Sequence, residues 1–180
     1  MYYHTPFTQV LSNPQMKPVE IVLIAGDISV ETHPGDEIYL AGEYMNDENQ
    51  MPLLHETEET MRIDRHSLFQ MFINHDVPHL KIFIPEKCDL NILLRAGHLK
   101  LKGNFGEVRA RTDAGNITAD LAEFTAAGDT DLVVFAGEIR LKNSALAEKP
   151  KHHHRPVKMK IGPNANLKAR VSLGNLWMVA

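Results

Sequence analysis

The chain has a single cysteine, Cys88, in 180 residues, so no intrachain disulfide can staple it and its stability has to come from a core. Aromatic residues are scarce, 7% in all with one tryptophan, which leaves aliphatic side chains to fill that core. No apolar run approaches the ~18 residues of a membrane-spanning helix. The N-terminal stretch MYYHTPFTQVLSNPQ has no basic start followed by an apolar run and does not read as a secretory signal. The expected location is therefore cytoplasmic, with non-classical export as the other route. An excess of positive charge is missing as well: the formal net charge is -4, and no global basic field favours nucleic acid. Nucleophile elbows, phosphate-binding loops and dinucleotide fingerprints do not occur, which removes the commonest sequence grounds for an enzyme.

What the sequence does have is glycine at regular places. Ala96-Gly97-His98-Leu99-Lys100-Leu101 returns as Ala114-Gly115-Asn116-Ile117-Thr118-Ala119 and as Ala136-Gly137-Glu138-Ile139-Arg140-Leu141. An earlier copy is Ala25-Gly26-Asp27-Ile28-Ser29-Val30, and a late one is Leu173-Gly174-Asn175-Leu176-Trp177-Met178. A second phase lies between them, at Phe105-Gly106-Glu107-Val108 and Ala127-Gly128-Asp129-Thr130. Gly97 and Gly115 are 18 residues apart, Gly115 and Gly137 are 22 apart, and so are Gly106 and Gly128. Steps of that size suit one coil of stacked short strands, with glycine at the corners where the backbone turns or approaches a neighbour closely. A hexapeptide helix fits poorly, because stepping by six from Leu99 through Phe105 lands on Arg111.

Aligning the glycines predicts a register. Leu99, Ile117 and Ile139 fall in one inward column, and Leu101, Ala119 and Leu141 in a second. Lys100, Thr118, Arg140 and Trp177 point outward. So do Lys102, Asp120 and Lys142, whose alternating sign is what adjacent strands prefer. The predicted fold is all-β: a single-stranded β-helix, a solenoid-like repeat of short, glycine-punctuated strands. It forms one domain over 1–180, with an irregular arm at 1–18, an irregular insertion at 43–78, regular repeats at 80–142, a basic His-rich loop at 144–156 and closing strands at 166–180. Further strands are expected at Val19–Val30, Glu37–Ala41 and His79–Pro85. Residues 45–60 read as an acidic, solvated loop. Residues 61–76 fit a strand by Met61 and Ile63 and a helix by Leu68, Phe69 and Phe72.

The stretch IFIPEKCDLNILLRAGHLKLKGNFGEVRARTDAGNITAD resembles the bacterial "putative adhesin" family, a β-strand-repeat family related to auto-transporter adhesin-like head domains. The matching features are Pro85 at a strand end, the alternation Leu90/Ile92/Leu94, and the units at Gly97, Gly106 and Gly115. The resemblance covers about residues 80–142, with weaker echoes at 19–42 and 166–178. It implies a β-helix-like fold and a scaffold or interaction role, and it carries no catalytic residues.

Candidate site residues lie where the repeat breaks. Ten histidines include the triplet His152-His153-His154, set between Lys151 and Arg155. Three consecutive side chains cannot face one way in a strand, and Lys149, Lys151, Arg155, Lys158 and Lys160 repel a cation. His152 and His154 are thus only weak metal candidates, and no metal or cofactor is expected. His75 and His79 are separated by Pro78, which argues against a helical pair of ligands. Arg95, Arg109, Arg111 and Asp113 read as surface charge laddering rather than as a catalytic face. Trp177, Lys151 and Arg155 are the partner-binding candidates. The arm residues Tyr2, Tyr3 and Phe7 are the alternative cover for Trp177. The expected function is a non-enzymatic scaffold or interaction protein that self-associates or binds a protein partner, with no nucleic acid and no transmembrane segment. A glycan partner is compatible with this reading but has no residue pattern in its favour. The alternatives are a ligand-binding or metal-binding protein or enzyme using the His-rich loop, and a secreted host-directed factor without a signal.

Overall fold

Alternation of apolar and polar residues has the two-residue period of a strand, which sends one face to the core and the other to solvent. A computed structural model of the protein describes residues 4–45, 51–64, 79–120, 128–142, 151–153, 156–160 and 166–179. Its strands are β1 His4–Ser12, β2 Val19–His33, β3 Glu37–Met45, β4 Leu53–Glu56, β5 Met61–Asp64 and β6 His79–Pro85. They continue with β7 Leu90–Lys102, β8 Val108–Asp120, β9 Thr130–Lys142, β10 Lys151–His153, β11 Val157–Lys160 and β12 Asn166–Val179. All join one mixed sheet, in the order β1-β3-β6-β2-β7-β8-β9-β12-β10, with β5 beside β2, β4 beside β5 and β11 beside β12. Among the described residues no helix is long and apolar enough to cross a membrane.

The centre of the sheet is a parallel run, β2-β7-β8-β9-β12, aligned glycine to glycine through Gly26, Gly97, Gly115, Gly137 and Gly174. Each of these strands has to bend. β7 ends at Lys102, and β8 starts at Val108, beside Leu90 at the far end of β7. A straight strand of 13 residues spans about 40 Å, whereas the six Cα steps from Lys102 to Val108 reach at most about 22 Å. The bend sits at Ala96-Gly97 and its equivalents. Burial changes phase there, from Leu90, Ile92 and Leu94 before it to Leu99 and Leu101 after it. Gly115 shows why glycine is required. Its φ is +138°, and a Cβ built on it would overlap the Gly97 carbonyl oxygen.

The two legs of each strand place aliphatic columns in one core. Leu23, Leu94, Thr112, Val134 and Val171 align in the first leg, and Ile28, Leu99, Ile117, Ile139 and Leu176 in the second. Within the first column, the Thr112 hydroxyl is fully buried without a hydrogen-bond partner, between Leu94 and Val134. Thr112→Val keeps the branched shape and removes that orphan. It is expected to stabilise the fold by about 1 kcal/mol, seen in calorimetry as a Tm higher by about 2–4 °C. A lower Tm would mean that the hydroxyl is bonded after all.

The all-β class expected from the sequence holds, but the single-stranded β-helix is too narrow a description of this sheet. β1 with β3, β3 with β6, β4 with β5, and both β10 and β11 with β12 are antiparallel pairs. The 1–18 segment, expected to be irregular, contains β1. Pro6 lies within that strand and is tolerated because β1 ends the sheet order, where a missing N–H breaks no inner ladder. Residues 43–78 carry the end of β3 and all of β4 and β5, the latter with Met61 and Ile63 fully buried. Leu68, Phe69 and Phe72 lie outside the described residues. The 144–156 segment contributes β10.

The edges of the sheet are covered in part. The Gln9 side chain on β1 accepts from the Leu54 N–H and donates to the Pro52 carbonyl, occupying part of that edge. On β12, β11 covers Asn166–Ala169 and β10 covers Leu176–Met178.

Candidate binding groove

The bend places a short polar side chain directly after each glycine. Asp27, His98, Asn116, Glu138 and Asn175 therefore stack across five strands. Asn116 links its neighbours: its Nδ2 lies 3.1 Å from His98 Nδ1, and its Oδ1 accepts from the Glu138 N–H at 2.9 Å. Arg140 Nε and Nη2 both donate to Glu138 Oε2, at 3.2 and 3.0 Å. Arg140, then Trp177 and Asn175, hold the Glu138 carboxyl below its ordinary range. At the near end His79 Nδ1 is 3.5 Å from Asp27 Oδ2.

Two residues further along every strand lies a second row. Register brings Thr8, Ala41, Lys81, Ser29, Lys100, Thr118, Arg140, Trp177 and His152 into line, one from each successive strand from β1 to β10. The inward neighbours Leu80, Ile28, Leu99, Ile117 and Ile139 are buried, so the row from Lys81 to Arg140 faces outward. Asp27, His98 and Asn116 of the first row, and the second row from Thr8 to Arg140, line a groove of about 900 Å³, whose far wall is built by Pro6, Phe7 and Thr8 of β1 and Ala41, Gly42 and Glu43 of β3. Four cations border it, Lys81, Lys100, Arg140 and Lys142, against the carboxylates of Asp27 and Glu43.

The other leg behaves differently. Arg95 Nη1 and Arg111 Nε donate to the two oxygens of Asp113, at 2.5 and 3.1 Å, and these arginines, Arg95 first, hold that carboxyl below its usual range. Arg109 pairs with Glu107. These arginines are neutralised by local acids, as charge laddering requires. Cys88 is buried, and burial pushes its thiol up to about 11, so it stays protonated and unreactive at neutral pH.

Of the residues singled out from the sequence, Trp177 stands beside Arg140 in the second row, and His152 is its partner on β10. Lys151 pairs with Met178. His154 and Arg155 lie outside the described residues, as do Tyr2 and Tyr3. Phe7 pairs with Gly42, because β1 docks on β3, and Trp177 lies on β12, seven strands away in the sheet order. Among the described residues no group of three or more His, Cys, Asp or Glu is placed to hold a metal. Sequence reasoning missed Lys81, Ser29 and the far wall. The alternation of Leu80, Ile82 and Ile84 does turn Lys81 outward, but nothing in β6 carries a glycine by which to align it with β2.

No protein-family model and no curated protein matches the sequence. Solved structures do. A putative cell adhesion protein from Clostridium sporogenes matches with a TM-score of 0.61 at 11% identity, over 78% of this chain and 72% of that one. A putative adhesin from Bacteroides fragilis matches over 97% of both chains at 11% identity, with a TM-score of 0.31. One from Parabacteroides merdae matches over 96% of this chain and 95% of that one at 10% identity, with a TM-score of 0.27. At low sequence identity, the chain thus shares its fold with a putative cell adhesion protein.

Proposed function

We propose that the protein is a non-catalytic interaction module, a β-solenoid scaffold that engages an extended partner along its groove. The coil reading is supported by the short returns between in-register parallel strands, which need a bent coil in each layer. The observation that carries the interaction reading is the outward row Lys81, Ser29, Lys100, Thr118 and Arg140. A catalytic site converges several groups on one reacting atom. This row instead distributes its groups over five strands, about 19 Å, which suits repeated contacts with something long. Self-association, expected from the sequence through an edge or end, is the second reading, favoured by the stretch of β12 between Ala169 and Leu176 that β10 and β11 leave uncovered among the described residues.

Lys81 and Lys100 stand in that row without an acidic partner among the described residues, so the fold gains nothing from their charge. The double variant Lys81→Ser, Lys100→Ser is therefore expected to keep or slightly raise the Tm, a change within about 0.5 kcal/mol. Thermal denaturation decides this. A drop of several degrees would mean that the row is structural, and the interaction reading would lose its support.

A further inference from the structure

Resting on that reading, we infer that the groove takes a linear acidic polysaccharide, carboxylated or sulfated, lying across the strands. The spacing is the first argument. Cations and hydroxyls alternate along the row, as Lys81, Ser29, Lys100, Thr118 and Arg140. Successive cations are two strands apart, about 10 Å, close to the disaccharide repeat of an extended glycan. An anionic group on every second sugar meets a cation, and the sugar hydroxyls between meet Ser29 and Thr118. Arg140 uses Nε and Nη2 on Glu138, which leaves Nη1 for the ligand. The Asp27 and Glu43 carboxylates add acceptors for sugar hydroxyls on the same groove.

Charge is the second argument. The chain as a whole carries -4, yet the groove gathers Lys81, Lys100 and Lys142, beside an Arg140 already paired with Glu138, against the carboxylates of Asp27 and Glu43. A cleft of sign opposite to the whole molecule concentrates a ligand of the complementary sign.

Other polyanions fit less well. A single-stranded nucleic acid needs aromatic platforms for successive bases, whereas the row from Lys81 to Arg140 has none, and Phe7 stands on the wall. An acidic peptide in extended form repeats its side chains on one face about every 7 Å and binds by adding a strand to a sheet edge. Here the floor is a sheet face whose backbone is already paired on both sides.

Isothermal titration of the full chain tests this with four probes: hyaluronate oligosaccharides, which carry one carboxylate per disaccharide, keratan sulfate oligosaccharides, which carry sulfate and no carboxylate, oligo-dT and poly-glutamate, with maltohexaose as the neutral control. Binding is expected for at least one of the two acidic glycans, weakening as salt rises, and the two arms separate carboxylate from sulfate recognition. The Lys81→Ser, Lys100→Ser variant should bind at least about tenfold more weakly, while Lys158→Ser, on β11, should bind as the parent does. Tighter binding of oligo-dT or poly-glutamate, or no binding of either acidic glycan at millimolar concentration, overturns the inference. Those results leave the interaction reading standing so long as the double variant keeps its Tm; a fall in Tm removes both.

Discussion

Gly115→Ala is expected to destabilise the fold by about 4–5 kcal/mol, at the upper end of what single substitutions do. A positive φ costs an alanine about 1–2 kcal/mol, and Gly115 sits at +138°. The larger part comes from the neighbour. The new methyl would overlap the Gly97 carbonyl oxygen, which is backbone and cannot rotate aside. To make room, β7 and β8 have to separate at the bend, which loses ladder hydrogen bonds worth about 1 kcal/mol each. In a protein of this size such a loss lowers Tm by roughly 10–20 °C. Gly35→Ala is the control. The atoms nearest its added Cβ belong to the His33 ring, in an exposed turn, and Gly35 is not among the glycines with positive φ. A swing of that ring relieves the contact at the loss of its bonds to the Gly35 N–H and the Glu37 carbonyl, so the expected cost is about 1–2 kcal/mol, well below that at Gly115. Equal losses at the two positions would show that glycine composition, rather than the stack at the bend, sets the stability. The consequence reaches the groove: Asn116, which follows Gly115, bridges His98 and the Glu138 N–H, so a displaced bend moves the floor of the site.

The bend is also the part of the fold most legible in the sequence. A backbone that cannot accept a Cβ in four successive strands leaves glycine at matching places, and aligning those glycines yields the pairing of Leu99, Ile117, Ile139 and Leu176, and of Lys100, Thr118, Arg140 and Trp177, that the strands adopt. β6 and β1 leave no such mark. Their pairing with β2 and β3 is set by alternating apolar residues that would suit many registers, and the chain reaches β6 only after the long segment following β3. Pro6 pointed to irregular structure because proline breaks an inner ladder, and only the edge position of β1 makes it harmless. Half of the groove was therefore visible as an outward column on β7, β8 and β9. The half supplied by β1, β3 and β6 depended on pairings that have no local sequence signal.

Phe105→Ala is expected to cost about 3–5 kcal/mol, although Phe105 belongs to no strand. It lies in the five-residue return between β7 and β8 and is fully buried with the aliphatic core. That return is the shortest path by which one layer reaches the next, and it is tied to the chain before β7. Gly106 N–H donates to the Cys88 carbonyl at 3.0 Å, Lys87 N–H donates to the Asn104 carbonyl at 2.8 Å, and Leu90 N–H to the Glu107 carbonyl at 2.8 Å. These bonds hold the return against the chain that precedes β7, and the ring is buried with the aliphatic core. Removing it leaves a cavity that stiff, hydrogen-bonded backbone cannot collapse to fill, which puts the cost at the high end of the range. Phe105→Leu keeps most of the volume and should cost less than half as much, about 1–1.5 kcal/mol. Urea titration of the two variants reads the difference: equal m-values with a much lower midpoint for the alanine variant. A midpoint shift below about 1 kcal/mol for Phe105→Ala would mean that the return is only a tether, and that the bends alone hold the layers in register.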